Sequence, residues 1–145
     1  MKPRTTARLY WSLIILFCLL MLADGVASLL HEPNGVAAMQ QLGYPVYLMA
    51  ITGAAKIMGA LALLQPRCLT LKEWAYAGFA IDFVGAGTSV LFAGLGLLAT
   101  FPALVMLAVL LGLYWLWKQL VTSHLQPAAL AKSVAVFVSP IAAAP

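Results

Sequence analysis

Four long apolar runs separated by short polar breaks set the pattern of this chain. The first extends from Leu9 to Leu30 and is interrupted only by Asp24. A membrane-spanning helix needs about 20 predominantly apolar residues, so this run predicts a first span, about 9–30. It is too long for a signal-peptide core of about 7–15 residues. Tyr10 and Trp11 stand at its start, where interfacial aromatics belong. His31 to Gly43 then reads as a loop, with Pro33, Asn34 and Gly35 as turn formers. Tyr44-Pro45 opens a second span, about 45–64, with proline suited to the first helical turn. Gln65 to Glu73 is predicted as a loop and Trp74 to Leu98 as the third span. Ala99 to Pro102 is read as a tight turn and 103–120 as the fourth span.

From Thr122 the chain turns to Ala, Pro and Ser, and the short apolar piece Val134 to Val138 cannot cross a bilayer. Residues 122–145 are therefore expected to form a flexible tail behind a membrane domain of residues 1–121. The predicted fold class is all-α, a polytopic membrane protein built as a four-helix transmembrane bundle.

Composition supports this reading. Of the 145 residues, 64% are hydrophobic and 8% charged, against about 45–50% and about 25% in soluble domains. The net charge of +4 is not gathered into a nucleic-acid-binding stripe. Lys2, Arg4 and Arg8 precede the first span, Arg67 and Lys72 lie between the second and third, Lys118 closes the fourth and Lys132 follows it. The other two loops carry no Lys or Arg. Both termini are thus expected in the cytoplasm. Cys18 and Cys68 form no C-x-x-C pair, and the expectation is one thiol in the membrane and one reduced cytoplasmic thiol.

Against this apolar background three charges stand out: Asp24, Lys56 and Asp82. Lys56 has Gly53, Gly59 and Ala60 on its own helix face, and Asp82 has Gly78, Gly85, Ala86 and Ser89. Small residues let membrane helices approach closely, so the charges are expected to point into the bundle. Lys56 and Asp82 both lie roughly 12 Å from the cytoplasmic ends of their predicted spans. A Lys56–Asp82 ion pair is the first expectation. Side chains lean toward the helix N-terminus, which tilts Lys56 and Asp24 toward each other, so Lys56 is placed to bridge both carboxylates. One cation against two carboxylates leaves an excess negative charge if all three are ionised, which protonation of one carboxyl would relieve. Such a cluster is a candidate ligand or proton site, or a fixed pair that sets helix register.

Other features are more modest. His31 and Glu32 adjoin the outer end of the first span, and His124 lies in the tail. All three read as solvated, because no second His or Cys stands by to complete a metal site. Glu73, Trp74 and Tyr76 are read as an interfacial motif at a helix start, Glu73 being favourable near the helix N-terminus. Gly94 and Gly96 are read as packing positions. No metal, phosphate-loop or nucleophile constellation is apparent.

At Gly43-Tyr44-Pro45, at Lys56 with Gly59-Ala60, at Pro66, and above all at Lys72-Glu73-Trp74-Ala75-Tyr76-Ala77-Gly78-Phe79 followed by Asp82, the chain resembles the DoxX-like family of small bacterial membrane proteins. The resemblance extends from about Leu9 to Lys118. It implies a four-helix membrane bundle in the bacterial cytoplasmic membrane. The family takes its name from a subunit of a thiosulfate:quinone oxidoreductase, and relatives are linked to redox complexes or to membrane-protein assembly. The implied role is an accessory component that binds a lipophilic ligand, with quinone as the candidate cofactor and a redox subunit or a second copy as partner. A proton-coupled transporter and an assembly factor are the alternatives. Quinone enzymes of the four-helix thiol type use cysteine pairs, which this chain lacks, and that weighs against autonomous catalysis.

Overall fold

The computed structural model describes the backbone of residues 3–138 and the side chains of residues 6–122. Lys2 lies outside the described residues, and the side chains of Arg4, His124 and Lys132 lie outside the described side chains. Five helices follow in order: α1 (Pro3–Leu29), α2 (Pro33–Gln41), α3 (Tyr47–Leu64), α4 (Leu69–Phe92) and α5 (Leu97–Val138). Four stretches, Thr6–Leu29, Tyr47–Leu64, Leu69–Phe92 and Leu97–Thr122, are long and apolar enough to cross a membrane. Many large apolar side chains, among them Leu16, Leu19, Met58, Ile81 and Leu98, face outward. Such a surface is stable in lipid and not in water. The chain is a multi-pass helical membrane protein.

Several boundaries differ from expectation. The loop after the first span contains the short helix α2. Pro33 sits at its start, and the Glu32 carboxylate accepts a hydrogen bond from the Gly35 amide at 3.0 Å. Glu32 is thus a helix cap, satisfying one of the free amides that every helix start presents.

The third long helix begins at Leu69, five residues before Trp74. The turn before it is short because Gln65 holds it. Its side-chain oxygen accepts from the amides of Arg67 and Cys68, and its amide donates to the Cys68 carbonyl at 2.6 Å.

The last turn falls at Ala93–Gly96, not at Ala99–Pro102. Gly94 and Gly96 have φ of 73° and 85°, left-handed values that glycine adopts without a Cβ penalty. The Gly94 amide donates to Leu91 and the Leu95 amide to Val90, a Schellman closure of α4. These glycines make the turn, whereas Pro102 is accommodated within α5.

Helix α5 also continues to Val138. The segment after Thr122, expected as a flexible tail, is helical backbone that far, and residues 139–145 lie outside the described residues. Ala128, Ala129, Leu130, Ala131 and Lys132 are strong helix formers, a local preference that outweighs the impression of low complexity.

Packing is most extensive between α1 and α3 and between α4 and α5, with thinner seams where α3 meets α4 and α1 meets α5. The buried side chains recur at helical spacing: Tyr10, Ile14, Phe17 and Met21 on α1, Tyr76, Phe79 and Phe83 on α4, Leu110, Leu113 and Trp117 on α5. They concentrate in the half of the molecule that holds the start of α1, the α3–α4 turn and the end of the fourth span. We call this the terminal face and the opposite end the loop face. Cys18 belongs to this core, donating to the Ala60 carbonyl at 3.5 Å, while Cys68 is exposed.

At the loop face α1 and α3 touch backbone to backbone. A Cβ on Gly53 would stand 2.8 Å from the Gly25 carbonyl and 2.9 Å from Ser28 Cβ, and one on Gly25 would stand 2.9 Å from the Gly53 carbonyl. Gly53→Ala is therefore expected to overpack this contact at a cost of about 1–3 kcal/mol. Gly85→Ala, where no atom lies within 4 Å, should leave stability unchanged or improve it. Thermal unfolding of the two variants in the same detergent checks the contrast.

Candidate functional site

The close approach of α1 and α3 brings Asp24 to Lys56. The Lys56 ammonium donates to Asp24 Oδ2 at 2.7 Å and lies 3.7 Å from Asp82 Oδ2. Lys56 thus bridges both carboxylates, and the shorter contact is to Asp24 rather than to Asp82. Two facts explain the order. Side chains lean toward the helix N-terminus, so Asp24 and Lys56, on antiparallel neighbours, converge. Helix α4 also begins earlier than expected, which puts Asp82 about 20 Å from its start, nearer mid-membrane than the sequence reading has it.

The three groups are not fully enclosed. Side-chain exposure is 20% for Lys56, 28% for Asp82 and 50% for Asp24. The glycines beside Asp82 do not mediate helix contact as expected. No atom lies within 4 Å of a Cβ built on Gly78 or Gly85. By contrast, a Cβ on Gly59 would stand 2.8 Å from the Phe79 ring. The expected small-residue contact therefore holds on the Lys56 helix and fails on the Asp82 helix.

Between α3 and α4 this leaves an open groove of about 360 Å³. Ile51, Ala55, Trp74 and Ile81 form its apolar walls, and Lys56 and Asp82 lie within it. Thr52 also lines it, but its hydroxyl is already donated to the Leu48 carbonyl at 3.0 Å. A separation of 3.7 Å is longer than a hydrogen bond, and an ammonium has three donors. Lys56 and Asp82 therefore present an ammonium donor and a carboxylate acceptor, side by side, in an otherwise apolar cleft.

A second polar region lies at the terminal face. The interfacial motif divides there. Trp74 is 74% exposed, as an interfacial residue should be, but Tyr76 is 4% exposed and belongs to the core. Tyr76 stacks on Trp117 at 5.6 Å, meets Tyr114 edge-on at 5.3 Å, and its hydroxyl lies 3.3 Å from that of Tyr10. Glu73 forms an ion pair with Lys118 of α5. Lys72 is buried, its ammonium over the rings of Trp11 and Tyr10 at 5.1 and 5.5 Å, a cation–π arrangement. Lys72, Tyr10 and Tyr76, expected at the interface, are thus drawn into the core. The spacing 72, 76, 79, 83 marks the buried face of α4, whereas their partners Tyr10 and Trp11 come from α1.

His31 and Glu32 do not join Asp24 in a metal site. Among the described residues no group of three or more His, Cys, Asp or Glu is placed to hold a metal ion. No buried side-chain nitrogen or oxygen among them lacks a partner.

Comparison with known proteins gives a single finding. The family model described as the DoxX-like family matches residues 12–113. No curated protein and no solved structure matches the chain.

The unequal distances within the trio make a prediction. Interhelical polar contacts in membranes average about 0.6 kcal/mol and reach about 1.7. In double-mutant cycles, Lys56→Met with Asp24→Asn should show coupling near the upper value, and Lys56→Met with Asp82→Asn near or below the average. Reversible unfolding in mixed micelles measures both. The opposite ranking would make Asp82 the principal partner.

Proposed function

The chain belongs to the DoxX-like family of membrane proteins, and we propose that it binds a lipid-soluble ligand of the quinone type in the α3–α4 groove. In this reading it serves as an accessory component of a redox system in the bacterial cytoplasmic membrane. The observation that carries the reading is the pairing of an under-used ammonium and carboxylate within an apolar cleft open to the surrounding lipid. Ligand sites are mostly apolar clefts with a few convergent polar groups.

The chemistry suits both redox states of such a ligand. A quinone carbonyl accepts a hydrogen bond from Lys56. A quinol hydroxyl donates one to Asp82. The hydrocarbon tail rests against Ile51 and Ile81 and continues into lipid.

An accessory role accords with the cysteines, since Cys18 is enclosed in the core and Cys68 is exposed. Partners of this role are a redox subunit or a second copy of the chain. The orientation that goes with the proposal puts the terminal face in the cytoplasm. Arg8, Arg67, Lys72 and Lys118 lie toward that face, and the loops of the opposite face, 30–46 and 93–96, have no Lys or Arg.

Purified protein should carry quinone detectable by chromatography of its extracted lipids. Removing one charge-assisted hydrogen bond costs about 1.5–3 kcal/mol, which corresponds to about tenfold or more in affinity. The amount retained by Lys56→Met, folded by size exclusion, should fall accordingly. Quinone at the level carried by an unrelated membrane protein purified in parallel would overturn the reading. Acid-driven flux through proteoliposomes that Asp82→Asn abolishes would favour a proton-coupled transporter instead.

A further inference from the structure

We infer that the groove admits a neutral, flat head group sideways from the bilayer, through the gap that Gly78 leaves between Trp74 and Ile81. This inference rests on the ligand reading above and adds the route and the type of head that fits.

Gly78 lies one turn before Asp82 on the same face of α4, lines the groove and is exposed. A glycine inside a helix costs about 0.5–1 kcal/mol relative to alanine, so it calls for a compensating reason. Gly25, Gly53 and Gly59 have one, since a Cβ at each would meet a neighbouring helix below 3.0 Å. Gly78, like Gly85 and Gly112, has no such contact and no left-handed φ, but of these three it alone lines the groove. What its missing side chain supplies is open space beside the charged pair.

That space has walls. Trp74, one turn before, and Ile81, one turn after, both stand outward with 74% exposure. Opposite them on α3 are Ala55 and Gly59. The gap between the walls is narrow along the helix, roughly 10 Å from the Trp74 position to the Ile81 position. A single flat ring passes edge-on, with its oxygen-bearing edge toward Lys56 and Asp82. A side chain at position 78 would stand in its way.

Charge selects further. The trio holds one ammonium and two carboxylates. Asp24 takes one of the three Lys56 donors and offsets its charge, and a phosphate or carboxylate head would meet the Asp82 carboxylate beside it. An anionic lipid head is thereby disfavoured, whereas a neutral head accepts from Lys56 through a carbonyl and, in its hydroxyl form, donates to Asp82.

The test uses the full chain in nanodiscs and a short-tailed benzoquinone as probe, with binding followed by equilibrium titration and folding by thermal unfolding. Gly78→Leu should weaken binding at least tenfold with an unfolding temperature equal to or above the parent's, and Gly78→Ala should fall between. Gly85→Leu, equally open but outside the groove, should bind as the parent does. Phosphatidylglycerol added to the nanodiscs should not displace the probe. Parent-like binding by Gly78→Leu overturns the proposed route and leaves the ligand reading standing. Displacement by phosphatidylglycerol overturns the selection for a neutral head. A parent chain that does not bind the probe overturns both the inference and the ligand reading.

Discussion

An ammonium placed at membrane depth must find a counter-charge, and that constraint shapes the loop-face half of this protein. A single charge near the bilayer centre costs about 2.5–3.5 kcal/mol even by the more lenient estimates. Lys56 meets the requirement most closely because α1 comes near enough to present Asp24. That approach in turn depends on Gly25 and Gly53, whose missing side chains let two backbones touch. The glycines bring the helices together, the helix approach makes the 2.7 Å contact, and the contact offsets much of the charge's cost. Asp82 then takes a looser place at 3.7 Å, and this looseness leaves the pair available to a third group.

The terminal-face half is held by other means. Its interior is aromatic, with Phe17, Phe79 and Phe83 packed edge-on and stacked, and Tyr76 enclosed by Tyr10, Tyr114 and Trp117. Its cations are matched to ring faces as well as to a carboxylate. Lys72 lies over Tyr10 and Trp11, and Lys118 over Tyr114 and Trp117 while paired with Glu73. Dispersion and quadrupole attraction dominate there, which suits the end of a membrane helix where hydrophobic burial alone contributes little between helices.

Much of this was legible in the sequence, for physical reasons. Spans announce themselves because the bilayer demands about 20 apolar residues, and buried charges announce themselves because they are rare. The bridging role of Lys56 followed from the direction in which helical side chains lean. What was not legible depends on tertiary contact. Lys72 reads as an interfacial loop charge, and only the tertiary fold brings Tyr10 and Trp11 over it from another helix. Gly78 and Gly59 look alike in the sequence, yet one faces open space and the other a phenylalanine ring. Pro102 is the conspicuous breaker in the sequence, whereas the α4–α5 reversal is made by two glycines in left-handed conformation a few residues earlier.

The division into two helix pairs has a mechanical side. The α1–α3 and α4–α5 pairs are each well packed, and they meet along thinner seams, one of which holds the groove. At the terminal face the pairs are pinned by the Gln65-braced turn and the Tyr10–Tyr76 contact. Toward the loop face they are joined by the Lys56–Asp82 pair and by the Tyr44–Ser89 hydroxyl bond at 2.8 Å. A pair of stiff levers fixed at one end moves least near the pin and most at the far end. A splay of the two pairs therefore widens the cleft around Lys56 while hardly disturbing the aromatic interior. The Lys56–Asp82 and Tyr44–Ser89 contacts are the two polar ties that oppose such a splay.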